Sequence, residues 1–408
     1  MESLLVASKV ICLPFCSEEH YEECMKDKGA FRQFITDMYT KYPEIFPHQM
    51  KEGFNFRGFT ASSRKLDGFR MRRITLSDKK VYQIRPSFMM PYLTGRTDEV
   101  EKALFLCRFG VPLWALVYVF GRNEMYWYRA YISLGRNSIV GTTVKNPARL
   151  PKHLLADEKH TRWNGEKAYV ATTVASECIL GVCLSESAGT ESLTKSYGHF
   201  KEEACNLKPD YQPETVGTDG WEHTQRAWVA LFPGITLILC FLHAFLKIQE
   251  RCKRRIDLLR AIAEKVWNAY HSKTLAQFSQ RIRRLRQWGE ALPEDPAREK
   301  LLGLCDKAPE FKKAFSHPGA YRTSNALDRL MNYQDRVLYS IQYFHGHASS
   351  ALLYLRSMAL LWNFHPYGAR ARREGLRASP FEEFNGFQYH SNWLQNMLVA
   401  GSLGGWRT

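Results

Sequence analysis

The order of predicted strands and helices between residues 151 and 240 constrains the fold of this chain more than any other feature of its sequence. Three runs have the composition of β-strands: HLLADEK, EKAYVATTVAS and CILGVCLSE. Asn164-Gly165 separates the first two runs and is a strong signal for a tight hairpin. These runs predict an antiparallel meander.

Helices and strands alternate after the meander. Apolar residues at helical spacing predict a helix over GTESLTKSYGHFKEEAC, and ETVGTDG reads as a fourth strand that ends in an acid. A short helix covers about 222–231, and ITLILC is a fifth strand. An antiparallel meander followed by helix, strand, helix and strand is the order of an RNase H-like fold. The sequence therefore predicts an α/β protein with an RNase H-like core and a mixed five-stranded sheet.

The fifth strand lies within residues 227–246, an uncharged run that is long enough to span a bilayer. Pro233-Gly234 breaks this run in the middle, and the β-branched ITLILC suits a buried strand. We therefore expect a strand and no membrane contact. The start of the chain lacks a convincing cleavage site, and its ten cysteines include no CxxC pair. Both observations predict a cytoplasmic protein with reduced thiols.

The length of 408 residues predicts two or three domains, and the patterns divide the chain into five regions. Residues 1–95 predict a small α+β module. Residues 96–150 contain three short helical segments punctuated by glycine, with Thr97 as the cap of the first, and predict a helix-turn-helix DNA-binding region and linker. Residues 151–243 form the first part of the core, 244–320 an all-helical insertion, and 321–408 the last core helix and a C-terminal helical region.

The charge of the chain favours a polyanionic partner. It has 57 Lys and Arg against 41 Asp and Glu, a net charge of +16, and residues 245–300 hold fourteen basic residues against seven acids. We interpret the partner as double-stranded DNA, with a solvated helical face as the ordinary alternative for each basic run. Tryptophans in such segments are more often core residues than base-stacking platforms. The predicted DNA contacts are Arg122, Asn123, Arg129, Arg254, Arg255, Arg283, Arg284, Trp267 and Trp288.

Three acids occupy the positions from which an RNase H-like fold supplies its metal ligands: the first strand, the end of the fourth strand and a later helix. They are Asp157, Asp219 and Asp328. Converging carboxylates suit two magnesium ions about 4 Å apart, for which manganese can substitute. Because strand residues alternate faces, Asp157 and Glu158 cannot both serve, and the apolar HLLA before Asp157 favours that residue. Asp335, two turns beyond Asp328, is the reserve for the third position.

Two motifs resemble those of a known family. TSNALDRL, whose Thr323, Ser324 or Asn325 caps the predicted helix, resembles the helix that carries the last catalytic acid of Mutator-type and related prokaryotic insertion-sequence transposases. CFLH, residues 240–243, is similar to the Cys-x-x-His signature that those transposases place between their second and third acids. The helical block between the motifs matches their all-helical insertion, so the resemblance covers about residues 95–345. The third acid of the family is usually Glu, whereas this chain has Asp.

The resemblance implies a prokaryotic, nucleoid-associated DDE/D transposase. Such an enzyme cuts transposon ends with magnesium, joins the freed 3′-hydroxyl to target DNA, and works as a homodimer or larger assembly. It also implies that Cys240 and His243 support the active site, although a core thiol and a helix-start histidine are the ordinary alternatives. Two other functions fit the same residues: a non-catalytic DNA-binding regulator, and a structure-specific nuclease that cuts without joining.

Overall fold

The structure, a computed structural model, describes residues 8–64, 66, 68–253, 255–373, 375 and 377–406. The strands of these residues form two sheets, one of four strands and one of five. The predicted α/β class with a mixed five-stranded sheet is therefore confirmed. Arg254, one of the predicted DNA contacts, lies outside the described residues.

The smaller sheet lies near the N-terminus. Its strands are β1 (Val10–Leu13), β2 (Asn55–Phe59), β3 (Arg72–Thr75) and β4 (Val81–Pro86), in the order β1-β4-β3-β2. Two helices follow β1: α1 (Glu18–Lys26) and α2 (Lys28–Lys41). The Ser8 amide donates to the Leu403 carbonyl at 3.0 Å, and one apolar cluster runs from Ile11 to Leu403. The N-terminal sheet therefore shares its core with the C-terminal helices.

Four helices connect the two sheets: α3 (Thr97–Cys107), α4 (Leu113–Phe120), α5 (Glu124–Leu134) and α6 (Ile139–Thr143). The predicted Thr97 cap is wrong, because Arg96 occupies the N-cap position without a side-chain cap. Arg96 forms an extended bridge with Met89, so the helix begins one residue earlier than a Thr cap would allow. On α4, Trp114 is 63% exposed and Tyr118 is 88% exposed, so this apolar helix is only partly covered.

The larger sheet contains the predicted meander. Its strands are β5 (His153–Trp163), β6 (Glu166–Ala175), β7 (Cys178–Ser185), β8 (Thr215–Thr218) and β9 (Thr236–Leu239), in the order β7-β6-β5-β8-β9. β5, β6 and β7 are antiparallel, whereas β8 runs parallel to both β5 and β9. Asn164 and Gly165 have φ of +50° and +85°, the left-handed pair that a tight hairpin requires.

One face of this sheet is covered by α7 (Thr190–Leu207) and α8 (Glu222–Leu231). Tyr197, Phe200 and Trp228 of these helices pack against Leu154 and Ala156 of β5 in a single apolar cluster. The uncharged run 227–246 comprises the end of α8, a turn, β9 and the start of a further helix. The predicted strand is therefore confirmed, although only Ile238 and Leu239 of β9 are buried. No helix of the described residues has the length and hydropathy to cross a membrane.

A helical block follows β9. It consists of α9 (Phe241–Arg251), α10 (Ile256–Tyr270), α11 (Leu275–Glu290), α12 (Pro296–Asp306) and α13 (Ala308–Lys312). These helices enclose an apolar cluster that includes Phe245, Ile262 and Phe278, and Leu239 of β9 belongs to the same cluster. The core of the block therefore extends to the end of β9.

The other face of the sheet is covered by C-terminal helices. They are α14 (Asn325–Ser340) and α15 (Ala348–Phe364), followed by α16 (Ala369–Arg373), α17 (Pro380–Asn385) and α18 (Trp393–Ala400). Leu155 of β5 belongs to the cluster that contains Leu330 of α14 and Leu355 of α15. Neighbouring residues of β5 thus face different helical layers, as strand alternation requires.

Candidate active site

Asp157 lies in the middle of β5, two residues beyond Leu155, and so faces α14. Its register partner on β6 is Thr172, whose hydroxyl accepts a hydrogen bond from Gln334 of α14 at 2.9 Å. The Asp157 side chain is half-buried, and its Oδ1 accepts from the backbone amide of Glu158 at 2.8 Å. Strand alternation therefore brings this carboxylate to the α14 side of the sheet.

Glu158 lies on the α7–α8 side of the sheet and is buried. The Tyr197 hydroxyl donates to its Oε1 at 2.7 Å, and the Thr224 hydroxyl lies 2.8 Å from both carboxylate oxygens. Burial raises the pKa of Glu158 to about 7 in spite of these two hydrogen bonds. This acid links β5 to α7 and α8.

Asp219 is the first residue after β8. Because β8 is parallel to β5 and Gly217 pairs with Leu155, Asp219 comes level with Asp157 at the end of the strand. Gly220 turns the chain with φ of +97°, and the Asp219 Oδ1 accepts from the Trp221 amide at 2.8 Å. The register of two strands, rather than proximity in sequence, brings the first two acids together.

Asp328 lies in the first turn of α14. The Ser324 hydroxyl, one helical turn earlier, lies 3.3 Å from both of its carboxylate oxygens. The same hydroxyl accepts from the Cys240 thiol at 3.4 Å and lies 3.5 Å from His243 Nδ1. We call Cys240, His243, Ser324 and Asp328 the Ser324 network.

Backbone hydrogen bonds hold the Ser324 network beside the sheet. The Cys240 amide donates to the Thr218 carbonyl at 2.9 Å, which continues the β8–β9 ladder past the end of β9. The Phe241 amide donates to the Arg322 carbonyl at 3.0 Å, just before α14. The Arg322 guanidinium lies over the Phe315 ring at 4.6 Å, a contact to the helical block. The motif CFLH and the motif TSNALD thus meet through main-chain contacts.

The charges of these groups act on one another. Burial, and then the negative charges of Asp219 and Asp328, raise the pKa of Asp157 to about 6. The hydrogen bond with Cys240 has the largest effect on His243, and the charges of Cys240, Asp157 and Asp219 add to it. They outweigh burial and raise the pKa of His243 to about 9, so its imidazole is protonated at neutral pH. The three aspartates and one cation therefore form a single electrostatic cluster.

The acids are gathered without converging on one point. Within the described part of the chain, no three His, Cys, Asp or Glu side chains come close enough together to hold a metal ion. Each carboxylate instead accepts a hydrogen bond from a different donor. The donors are Glu158 N for Asp157, Trp221 N for Asp219 and Ser324 Oγ for Asp328. Three carboxylates are nonetheless the hard oxygen ligands that Mg²⁺ prefers, and a bound cation would relieve the repulsion that adds to burial in raising the pKa of Asp157.

The reserve acid Asp335 has a different environment. Its Oδ2 accepts from Lys159 Nζ at 2.7 Å, and 52% of its side chain is exposed. Asp328, by contrast, is one of the charges that raise the pKa of Asp157. Asp335 thus lies on the same helix as the third acid but outside the cluster.

The residues predicted to read DNA from α5 have local partners. Asn123 is the N-cap of α5 and accepts from the Tyr126 amide at 2.8 Å. Arg122 is 3.7 Å from Glu99 and lies over the Tyr126 ring, whereas Arg129 is exposed. The buried face of α5 packs on α15, where a Cβ at Gly135 would lie 2.0 Å from the Leu353 carbonyl oxygen. A helix-turn-helix role for this region stays a prediction.

The predicted DNA contacts of the helical block divide into three kinds. Arg283 and Arg284 are exposed on α11. Arg255 donates to Asp295 at 2.7 Å, so its charge is already paired. Trp267 and Trp288 are half-buried against the apolar cluster of the block, as in the ordinary alternative for such tryptophans. The exposed pair on α11 is therefore the part of this block best suited to a phosphate backbone.

The sequence motifs do not predict the central place of Ser324. They indicate this residue only as one of three candidate caps, and Ser324 does occupy the N-cap position, although its side chain makes no capping hydrogen bond. Its hydroxyl is directed instead to Asp328 and the CFLH motif. A polar residue four positions before an acid on a helix lies one turn away from it, and this spacing is the sequence signal that could have predicted the contact between Ser324 and Asp328.

Comparison with known proteins adds no family assignment. No protein-family model matches the chain, and no curated protein matches it.

Proposed function

We propose that this protein is a DNA transposase that cleaves and joins phosphodiester bonds at the Asp157–Asp219–Asp328 cluster. One observation carries the proposal: three acids spread over more than 170 positions of sequence lie close enough together that the charges of Asp219 and Asp328 add to burial in raising the pKa of Asp157 to about 6. Acids gathered in this way are costly to a fold unless a cation or a reaction uses them.

The surrounding fold supports the proposal. An RNase H-like nuclease is expected to have a meander followed by two parallel strands. Its acids are expected on the first strand, after the fourth strand and on a later helix, and this chain has acids at these positions. The helical block enters between the second and third acids, where the resembled transposases carry their insertion. Cys240 and His243 contact Ser324, which in turn contacts Asp328. The resemblance inferred from two motifs is thus consistent with their proximity in space.

Each residue has a defined part in this proposal. Bound Mg²⁺ would supply charge stabilisation to the attacking and leaving oxygens of the phosphodiester. Asp157, Asp219 and Asp328 would hold it, and protonated His243 balances part of their charge. The Ser324 hydroxyl orients the Asp328 carboxylate, while exposed Arg283 and Arg284 provide positive charge for the DNA backbone.

A non-catalytic DNA-binding regulator is the second candidate. It is favoured by a specific observation: no three potential ligands converge on a metal position among the described residues. A regulator would use the basic surface of the chain and would need no cation at the acids.

Cleavage of labelled DNA separates these functions. The substrate is a duplex that carries the terminal sequences flanking the encoding DNA, incubated with the full chain in magnesium or in EDTA. We expect magnesium-dependent cutting that is lost in Asp157→Asn, Asp219→Asn and Asp328→Asn, while DNA affinity persists. Asp335→Asn is the matched control, because it removes an acid of α14 that pairs with Lys159. Strand-transfer products indicate a transposase, cut ends alone a nuclease, and binding without cutting a regulator.

A further inference from the structure

A cavity of about 750 Å³ opens between the β6–β7 turn and helices α15, α16 and α17. Its volume lies within the range of small-molecule sites. The carboxylates of the proposed nuclease centre are not part of its wall. We call it the Arg108 cavity, and its lining includes Arg108, Arg149, Arg329, Trp362, His365 and Tyr367.

Arg108 is an unusual residue in the wall of this cavity. It is the C-cap of α3 and only 6% exposed, and its guanidinium lies between two rings, 4.2 Å from Tyr333 and 4.1 Å from Trp362. Its Nε and Nη1 are buried and have no hydrogen-bond partner among the described residues. Contacts with aromatic faces and a helix C-terminus offset only part of the cost of burying this charge.

The electrostatics of the cavity are those of an anion site. Burial lowers the pKa of Arg108 to about 10, against the effect of Tyr333 and with a smaller contribution from the charge of Arg336. Burial and the charge of Arg108 lower the pKa of His365 to about 4, so the histidine is neutral at physiological pH. The Arg108 guanidinium thus disfavours protonation of His365 and lacks hydrogen bonds at two of its nitrogens. Both observations indicate that it lacks a negatively charged partner.

The other charged groups of the wall do not supply that partner. Glu177 pairs with Arg329 at 2.8 Å, and Glu383 accepts from the Arg377 backbone amide. Arg149 donates to the Phe384 carbonyl, which leaves its positive charge unneutralised by that contact. The lining therefore combines three arginines with two glutamates, and both glutamates already have partners.

We propose that the Arg108 cavity binds a phosphate group, carried by a nucleotide or by a nucleic-acid strand, with Arg108 as the buried donor and Arg149 at the mouth. The planar fork of a guanidinium matches two oxygens of a phosphate, and a phosphate offers further acceptor oxygens to a second arginine. The inference depends on the arginines of this cavity and not on the nuclease activity.

The position of the cavity relates it to the acids. Arg329 directly follows Asp328 on α14, and the Tyr321 hydroxyl, just before α14, accepts from the Ser176 amide in the cavity wall at 2.9 Å. Trp362 in turn donates to the Glu177 carbonyl at 2.7 Å. A phosphate in the Arg108 cavity would thus lie next to the helix that carries the third acid.

Calorimetric titration of the full chain tests the proposal. The probes are inorganic phosphate, a deoxynucleoside monophosphate, and short single-stranded oligonucleotides with and without a 5′-phosphate, all at ionic strength matched with sodium chloride. Arg108→Met keeps the side-chain volume and removes the charge, and we expect it to weaken phosphate binding by at least about tenfold. Arg336→Met is the matched control, since it removes a nearby positive charge from outside the cavity and should retain binding.

The outcomes separate the two sources of phosphate. If the small phosphates bind and the oligonucleotides do not compete with them, the ligand of the cavity is a free nucleotide. If the protein prefers the 5′-phosphorylated strand, the ligand is nucleic acid. Absence of binding above the chloride background, or equal binding by wild type and Arg108→Met, overturns the proposal. If Arg108→Met does not fold, Arg149→Gln replaces it with the same criterion. If the protein binds phosphate, also as Asp219→Asn, but never cuts DNA, the proposed function is wrong. The phosphate site in the Arg108 cavity is then still supported.

Discussion

The hydroxyl of Ser324 lies 3.3 Å from both carboxylate oxygens of Asp328, one helical turn away. This contact joins the third acid to Cys240 and His243, and through them to the end of the sheet.

Ser324→Ala should weaken catalysis without removing it. The change leaves all three acids in place but removes the hydroxyl that orients Asp328, and loss of such a supporting contact costs about tenfold or more in metal affinity or activity. The measurement is the cleavage rate against magnesium concentration, with the half-maximal concentration expected to rise. Ser340→Ala, at the other end of α14, is the control, because its hydroxyl donates to the Val337 carbonyl within the same helix. Unchanged magnesium dependence in Ser324→Ala would contradict the role given to this hydroxyl.

Arg356→Met should strongly destabilise the fold. Arg356 is 1% exposed, contacts Glu203 at 2.5 Å and donates to the Gly135 carbonyl at 2.9 Å. Without the arginine, Glu203 is left as a buried unpaired charge, at a cost of about 3–5 kcal/mol in the free energy of unfolding. The double variant Arg356→Met/Glu203→Gln should recover part of this loss, as measured by urea unfolding. Additive losses in the double variant would mean that the two side chains do not act as a pair.

The pH dependence of stability should include a contribution from His365. Its pKa falls from 6.5 to about 4 on folding, so between these values the unfolded chain binds a proton that the folded chain does not. Stability due to neutral His365 is therefore complete above about pH 6.5 and is lost as the pH falls toward 4, by roughly 2–3 kcal/mol. Urea unfolding at pH 7.5 and 4.5 should show a smaller loss for His365→Gln than for wild type. Equal losses would show that His365 does not titrate in this window.

The double variant Arg283→Gln/Arg284→Gln should weaken DNA binding because it removes electrostatic contacts with the phosphate backbone. Both side chains are exposed on α11, and each phosphate contact contributes about 0.9 to the slope of log affinity against log salt. The slope for duplex DNA should therefore fall by up to about two in the double variant. Arg255→Gln is the comparison, because Arg255 is already paired with Asp295 and should change the slope less. An unchanged slope in the Arg283/Arg284 variant would exclude α11 as a DNA contact.

The sequence predicts best the features that local patterns determine. Asn164-Gly165 gives the hairpin because only a few residues accept φ > 0, and the strand run ITLILC gives β9 because its apolar residues are flanked by turn signals. Strand alternation also separates Asp157 from Glu158, which face different helical layers in the structure. Each of these features depends on residues within a few positions of one another.

Features that depend on distant contacts could not be predicted in the same way. β1 pairs with β4, some 70 residues away, and nothing in the local pattern of Val10–Leu13 indicates its partner. Trp114 and Tyr118 lie on an apolar helix, and the periodicity of that helix does not indicate that they are exposed. Arg108 follows an apolar helix, and its burial between two rings arises from residues more than 200 positions later. The motif predicts Asp328, whereas the contacts that join Ser324 to Cys240 and His243 arise between residues about 80 positions apart.

Binding of Mn²⁺ to the purified chain, followed by electron paramagnetic resonance, tests the central claim most directly, because it needs no DNA substrate. We expect wild type and Asp335→Asn to bind Mn²⁺, and we expect Asp157→Asn, Asp219→Asn and Asp328→Asn to lose this binding. Absence of Mn²⁺ binding in the wild type, or binding that depends on Asp335 and persists without Asp219, would contradict the central claim.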